Sequence, residues 1–130
     1  QVALRGLGAI GLVVATVIHA QAGLPPASTL QVLFLLSGLG TLLGAVLLLV
    51  RPRLGWIVGG GVAALTAIGY LLRSTVGLPP LIPGAVPFSR PVSGAISCVV
   101  EIAVALLAIW ALSAGSARSA ARVRAGQAGG

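Results

Sequence analysis

One acidic side chain lies inside an apolar stretch, and any chemistry of this chain would depend on it. Glu101 is the only Asp or Glu among the 130 residues. In a helix that begins near residue 92, it would lie roughly 13 Å from the helix start at ~1.5 Å per residue. An ionisable group inside a membrane costs ~2.5 kcal/mol or more and is a functional-site hypothesis by default. We expect its carboxyl to be either protonated or paired.

Few side chains could pair with Glu101, and all of them fall in the same half of the predicted membrane span. Ser97 precedes Glu101 by four residues and therefore shares its helix face. His19, Tyr70 and Arg73 lie near the outer ends of two other apolar stretches. We therefore predict an outer-leaflet polar cluster of His19, Tyr70, Arg73, Ser97 and Glu101.

Three interpretations of Glu101 stay open. It could hydrogen-bond a neighbouring helix and fix the register of the bundle. It could bind a partner subunit. It could also form a proton, metal or cofactor site with His19, although an interfacial histidine is often satisfied by water and backbone alone.

The missing residue types exclude several kinds of site. With no Asp and no Lys, the chain has no paired carboxylates, no Ser-His-Asp triad, no phosphate-loop lysine and no Schiff base. Cys98 is the only cysteine and His19 the only histidine, which excludes an intrachain disulfide and a haem held by two histidines of this chain. A zinc or copper site within one chain lacks ligands. The sequence predicts a protein that is not an enzyme, with no metal and no cofactor.

The elements that must position these residues are transmembrane helices. Hydrophobic residues make up 58% of the chain and charged residues 7%, with a mean hydropathy of +1.13. Such a composition is typical of an integral membrane protein. We predict an all-α, transmembrane four-helix bundle over residues 1–114, followed by a basic, small-residue cytoplasmic tail over 115–130. The predicted helices are about 4–21, 29–50, 54–72 and 92–114, and the predicted outer loops are 22–28 and 74–91. The tetrapeptide GLPP ends both the first and the third helix, at 23–26 and 77–80.

The arginines predict the orientation of the bundle. All eight basic residues are Arg, and the net charge is +7. Six of them fall on one side of the predicted membrane: Arg5, Arg51, Arg53, Arg118, Arg122 and Arg124. Arg73 and Arg90 fall on the other side. The positive-inside rule then predicts two cytoplasmic termini in a bacterial plasma membrane. Because no aromatic residues alternate with the arginines, we expect no nucleic-acid partner.

Small residues predict how the helices pack. Gly40 and Gly44 lie one turn apart in the second helix, and Gly55 and Gly59 do so in the third. Such spacing lets helix backbones approach closely in lipid. Besides the lipid bilayer, we expect other transmembrane subunits as partners, with a homo-oligomer as the alternative.

The segment GYLLRSTVGLPP (69–80), with a Glu inside the last helix, resembles small four-helix integral membrane proteins of uncharacterised function from actinobacteria and their relatives. The segment LQVLFLLSGLG (30–40) after His19 adds to this resemblance. It implies the four-helix fold and draws attention to His19 and Glu101, but it implies no activity. The outer loop PLIPGAVPFSRPV lacks the acidic and Trp residues expected of the family.

Our functional prediction is a non-catalytic accessory or structural subunit of a larger membrane complex. The first alternative is a small ion- or proton-coupled transporter or channel that uses Glu101. The second is an outer-face membrane protein that binds a metal or ligand with His19 and Glu101.

Overall fold

The regular structure of the described residues is entirely α-helical. The structure is a computed structural model that describes residues 1–24, 28–75 and 92–128. In chain order the helices are α1 (Val2–Gly23), α2 (Thr29–Val50), α3 (Pro52–Thr75) and α4 (Val92–Ala128). Each is long and apolar enough to cross a membrane, as in a multi-pass membrane protein. The predicted all-α four-helix fold is confirmed. Of the predicted loops, residues 25–27 and 76–91 lie outside the described part.

Local side-chain chemistry explains where the helices start. Ser28 caps α2, because its side-chain oxygen accepts a hydrogen bond from the backbone N–H of Gln31 at 3.3 Å. Pro52 is the first residue of α3, where a missing N–H costs nothing and a fixed φ favours the helix. Arg51 alone separates α2 from α3. The helix α2 has the predicted bounds, whereas α3 begins two residues before the predicted start at residue 54, and the two helices run antiparallel as neighbours.

The predicted end of the last helix at residue 114 is wrong. The helix α4 continues to Ala128 and contains 37 residues, so the predicted tail is largely helical. Its sequence after residue 114 is rich in Ala and Arg, which favour helix, and contains no Pro to stop it. Each of residues 115–128 is exposed.

The helices form a four-sided bundle. The helix α1 packs against α2 and α4, and α3 packs against the same two helices. The helices α2 and α4 lie diagonally opposite, and no close contact joins their described residues. We call the end where α1 begins and α2 turns into α3 the terminal end. The opposite end, where α3 ends and α4 begins, is the loop end.

Glycines bring α2 and α3 together near the terminal end. A Cβ atom on Gly44 would lie 2.5 Å from the Cα of Gly59, and one on Gly55 would collide with the backbone of Leu48. A Cβ atom on Gly40 would lie 3.0 Å from the side chain of a valine of α3. Three of the four glycines predicted to pack helices therefore face the other helix of the α2–α3 pair, whereas a Cβ atom on Gly59 would first meet a leucine side chain of α1, at 2.6 Å, and then Gly44. Only glycine, which has no side chain, lets the helix backbones approach this closely.

The core next to these glycines is apolar, and so are the outward faces. Its buried members come from all four helices: Leu12, Ala45, Leu48, Trp56, Ala63, Val104 and Ala108. On the outside, large apolar side chains such as Leu39, Leu49, Leu65 and Ile109 are exposed. In lipid such faces need no polar cover, because hydrocarbon surrounds them. The exposed apolar surface is typical of contact with a bilayer.

Candidate functional site

A cavity of about 670 Å³ lies between the four helices at the loop end. It extends from the helix ends, at Ala22, Leu30, Arg73 and Gly94, down to Glu101. On α4 this depth is about 10 Å at ~1.5 Å per residue. Most of the cavity wall is apolar, and a few polar side chains converge on it. This combination and volume are typical of sites for small molecules.

The five residues of the predicted polar cluster all line this cavity. His19 lies on α1, Tyr70 and Arg73 lie on α3, and Ser97 and Glu101 lie on α4. Contacts join His19, Ser97 and Glu101 directly at the floor. Tyr70 and Arg73 form part of the wall nearer the loop end. The polar side chains therefore divide into a connected group deep in the cavity and a second group near its mouth.

Glu101 joins α4 to α1 at the floor of the cavity. Its Oε1 atom lies 3.1 Å from His19 Nε2, and the two side chains are only 2% and 5% exposed, respectively. The Ser97 hydroxyl, one turn earlier on α4, donates to the same oxygen at 3.3 Å. Thr66 of α3 lines the same cavity, and its hydroxyl donates to the carbonyl oxygens of Val62 and Ala63 in its own helix. A buried carboxyl needs partners such as His19 and Ser97, because an unpaired one would be strongly destabilising.

The protonation state of the pair follows from the contact made by the second ring nitrogen of His19. His19 Nδ1 lies 2.7 Å from the carbonyl oxygen of Ala15. Because a carbonyl oxygen only accepts, Nδ1 carries a proton. Nε2 then either carries a second proton and donates to a carboxylate, or carries none and accepts from a protonated Glu101. In both states one proton lies between the two facing atoms, and the pair is neutral in total.

The helix α2 fixes the position of the His19 ring. A Cβ atom on Gly38 would lie 3.3 Å from His19 Cβ, so a side chain at position 38 would crowd the histidine. The Phe34 ring meets the imidazole edge-on, with ring centroids 5.8 Å apart and an interplanar angle of 67°. Such an edge-on arrangement is favourable for two aromatic rings. The helix α2 therefore contacts both the Cβ atom and the ring of His19.

Two residues of the site were not predicted. Thr66 precedes Tyr70 by four residues and Arg73 by seven, which places all three on one face of α3. That spacing is a signal from which Thr66 could have been found. Phe34 lies within the continuous apolar stretch of α2, and nothing in its surroundings distinguishes it from residues that face lipid.

A second polar contact joins α1 and α2 below the His19–Glu101 pair. The hydroxyls of Thr16 and Thr41 lie 2.8 Å apart, and Thr41 is completely buried. The carbonyl oxygens of Leu12 and Gly38 lie 2.8 Å from the Thr16 hydroxyl and 2.9 Å from the Thr41 hydroxyl, respectively. Because each hydroxyl has one proton, one threonine donates across the interface and the other donates to the carbonyl of its own helix.

Apolar side chains close the floor of the cavity. Val104 lies one turn below Glu101 on α4 and packs in the core with Leu12 and Ala63. These three residues are 0–3% exposed. They form an apolar layer that separates the cavity from the terminal end.

The site contains two kinds of metal ligand but no cluster of them. Among residues 1–24, 28–75 and 92–128, no three His, Cys, Asp or Glu side chains lie close enough to hold a metal ion. Comparison of the chain with protein-family models, curated proteins and solved structures finds no match. The resemblance to small four-helix proteins therefore stays a prediction, and the site must be interpreted from its geometry.

Proposed function

We propose that this chain is a membrane protein that binds a small amphipathic molecule in the cavity at its loop end. The observation that carries the proposal is the buried His19–Glu101 pair at the floor of a cavity of about 670 Å³. A pair that is neutral in total favours an uncharged polar group over a free ion. The ligand would place a hydroxyl, carbonyl or amide group against the pair and an apolar body along the walls.

The closed floor of the cavity favours binding over transport. A channel or transporter needs a path from the cavity to the terminal end, and the apolar layer of Leu12, Ala63 and Val104 lies across it. The pair has a proton that it could exchange and the Thr16–Thr41 contact lies below it, but the layer of Leu12, Ala63 and Val104 contains no polar side chain to continue such a path. The site also gives no support to metal binding. His19 and Glu101 supply two ligands, and no third His, Cys, Asp or Glu of the described residues lies close enough to complete a metal site.

We also propose which membrane contains the chain and how the chain is oriented in it. Six arginines belong to the terminal end or to the helix that extends from it, whereas Arg73 lies at the loop end. By the positive-inside rule this distribution supports cytoplasmic termini and a cavity that faces outward from a bacterial plasma membrane. The role of accessory subunit stays a prediction from the sequence, because no contact in the structure favours it.

The test is native mass spectrometry of the chain after gentle extraction from its own membranes. We expect the protein to carry an additional mass of a few hundred daltons. Gly69→Leu should remove it, because Gly69 lines the cavity and a Cβ atom there meets open space. The added side chain would occupy part of the cavity beside Tyr70 and obstruct the ligand without disturbing the fold.

A matched control lies on the same helix. Gly61 also has open space around its Cβ position but does not line the cavity, so Gly61→Leu should leave the bound mass in place. A wild-type chain with no bound mass, or two variants that behave alike, would overturn the proposal. A stoichiometric complex with larger subunits would instead establish the role of accessory subunit.

A further inference from the structure

A second cavity, of about 380 Å³, lies at the terminal end of the bundle. Arginines from three different helices line it: Arg5 on α1, Arg53 on α3 and Arg118 on α4. Trp56 and Leu112 supply an apolar part of its wall. Three residues that are far apart in the sequence thus direct positive charge at one space.

The chain has no acidic side chain with which to neutralise these arginines. Its only carboxyl side chain, Glu101, lies beyond the apolar layer and is paired with His19. The polar side chain that holds Arg118 is the neutral amide of Gln1. With the amide oxygen turned toward the guanidinium, its distances to the two terminal nitrogens of Arg118 are 2.6 and 3.0 Å. Neutralisation of the cavity therefore requires an anion from outside the chain.

We propose that this cavity binds the phosphate group of an anionic ligand between Arg5, Arg53 and Arg118. Guanidinium groups present pairs of N–H donors that match phosphate oxygens, and such charge-assisted hydrogen bonds are stronger than neutral ones. One bound anion would also relieve the mutual repulsion of three cations. Because the cavity has room for more than a phosphate, the ligand can include the group esterified to it.

The position of the cavity indicates a phospholipid as the source of that phosphate. It lies where α1 and α3 begin, which is the depth of lipid headgroups when both helices span a bilayer. The apolar wall at Trp56 and Leu112 suits the glycerol and the first part of an acyl chain. A headgroup with a net negative charge should bind better than phosphatidylcholine, whose choline would bring a fourth cation to the site.

The fluorescence of Trp56 provides a direct test, because this residue lines the cavity. The only other tryptophan is Trp110, so Trp110→Phe leaves a single reporter. The measurement is the quenching of Trp56 in neutral detergent micelles by phosphatidylglycerol with brominated acyl chains. Phosphatidylcholine with the same chains is the control lipid, and inorganic phosphate is the competitor.

Two triple variants separate the cavity from general surface charge. The cavity variant carries Arg5→Gln, Arg53→Gln and Arg118→Gln. The surface variant carries Arg51→Gln, Arg122→Gln and Arg124→Gln, which remove the same charge near the same end but do not line the cavity. We expect the concentration of phosphatidylglycerol for half-maximal quenching to rise about tenfold or more in the cavity variant. In the surface variant it should change by less than about twofold.

Each outcome of the test decides the proposal. Saturable quenching that prefers phosphatidylglycerol and depends on the cavity arginines supports a lipid ligand. Competition by inorganic phosphate without a preference between lipids supports the same site with a soluble phosphate compound as ligand. Equal losses in both triple variants, or no loss in either, would overturn the site. If the cavity variant does not fold, the exposed Arg53→Gln alone should weaken quenching about fivefold, and Arg51→Gln should not.

Discussion

Adding one methyl group at Gly44 should destabilise the bundle, although it favours the helix locally. Alanine is a better helix former than glycine by about 0.5–1 kcal/mol. At position 44, however, the new Cβ would lie 2.5 Å from Gly59 Cα and 2.9 Å from Gly59 N. Carbon atoms pack best at about 3.5–4.0 Å, so α2 and α3 would have to separate by about 1 Å at this point. Both atoms it meets belong to the backbone, which cannot rotate away as a side chain can.

The free energy cost of separating α2 from α3 can be compared with the gain in helix propensity. Overpacking of a close-packed interface costs about 1–3 kcal/mol. Subtracting the middle of the range for the local gain from the middle of the range for the overpacking cost, we expect Gly44→Ala to lower the free energy of unfolding by about 1 kcal/mol. The loss should be evident because membrane helices associate mainly through such close packing.

The matched control is Gly61→Ala. Gly61 has nothing within 4 Å of its Cβ position, so only the local gain applies, and the free energy of unfolding should stay constant or rise by up to about 1 kcal/mol. Both variants can be compared by reversible unfolding in mixed micelles with increasing sodium dodecyl sulfate, followed by circular dichroism. Shifts of the same sign and size would refute the reasoning, because they would show that the contact between Gly44 and Gly59 does not limit the packing.

The same unfolding assay checks three further expectations. His19→Leu and Glu101→Leu should each lower the free energy of unfolding by about 1–3 kcal/mol, because each leaves a buried polar group without its partner. The double variant should cost less than their sum, and strict additivity would argue against the pairing. Thr41→Val should lower the free energy of unfolding by only about 0.6 kcal/mol, the typical value for a hydrogen bond between membrane helices. The reason is that Thr16 keeps its hydrogen bond to the Leu12 carbonyl, and a decrease above about 2 kcal/mol would contradict it. Ala121→Pro should reduce the helical circular dichroism signal without shifting the unfolding transition, because residues 115–128 are exposed; a shifted transition would show that this segment packs on the bundle.

The sequence was sufficient to predict the fold because each helix has its own signal. Four long apolar stretches and the prolines between them define the spans, and Arg51 with Pro52 defines the tightest turn. The end of α4 was mispredicted because hydropathy falls after residue 114 while helix propensity does not. Hydropathy marks the limits of a membrane span, and it contains no information about whether a helix continues into water.

The cavity was harder to predict than its polar residues. Glu101 and His19 are conspicuous because ionisable groups are rare in apolar stretches. Their mutual distance depends on the rotation of α1 and α4 about their axes, and the contact of Gly38 with His19 is one of the features that fix it. The role of Phe34 depends on the same rotation of α2. The spacing of residues in a sequence shows which of them share a helix face. It does not show how neighbouring helices are rotated about their axes, and this rotation decides which faces meet.

The glycine contact between α2 and α3 has a mechanical consequence. The backbones of these helices approach closely where Gly44 meets Gly59, and Arg51 alone connects the two helices at the nearby terminal end. From Gly59 to the end of α3 at Thr75 the helix extends about 24 Å, at ~1.5 Å per residue. A tilt of about 5° around the glycine contact would therefore displace Thr75 by roughly 2 Å. The glycines can act as a pivot, so that the width of the cavity mouth changes by the size of a methyl group while the core beside them stays packed.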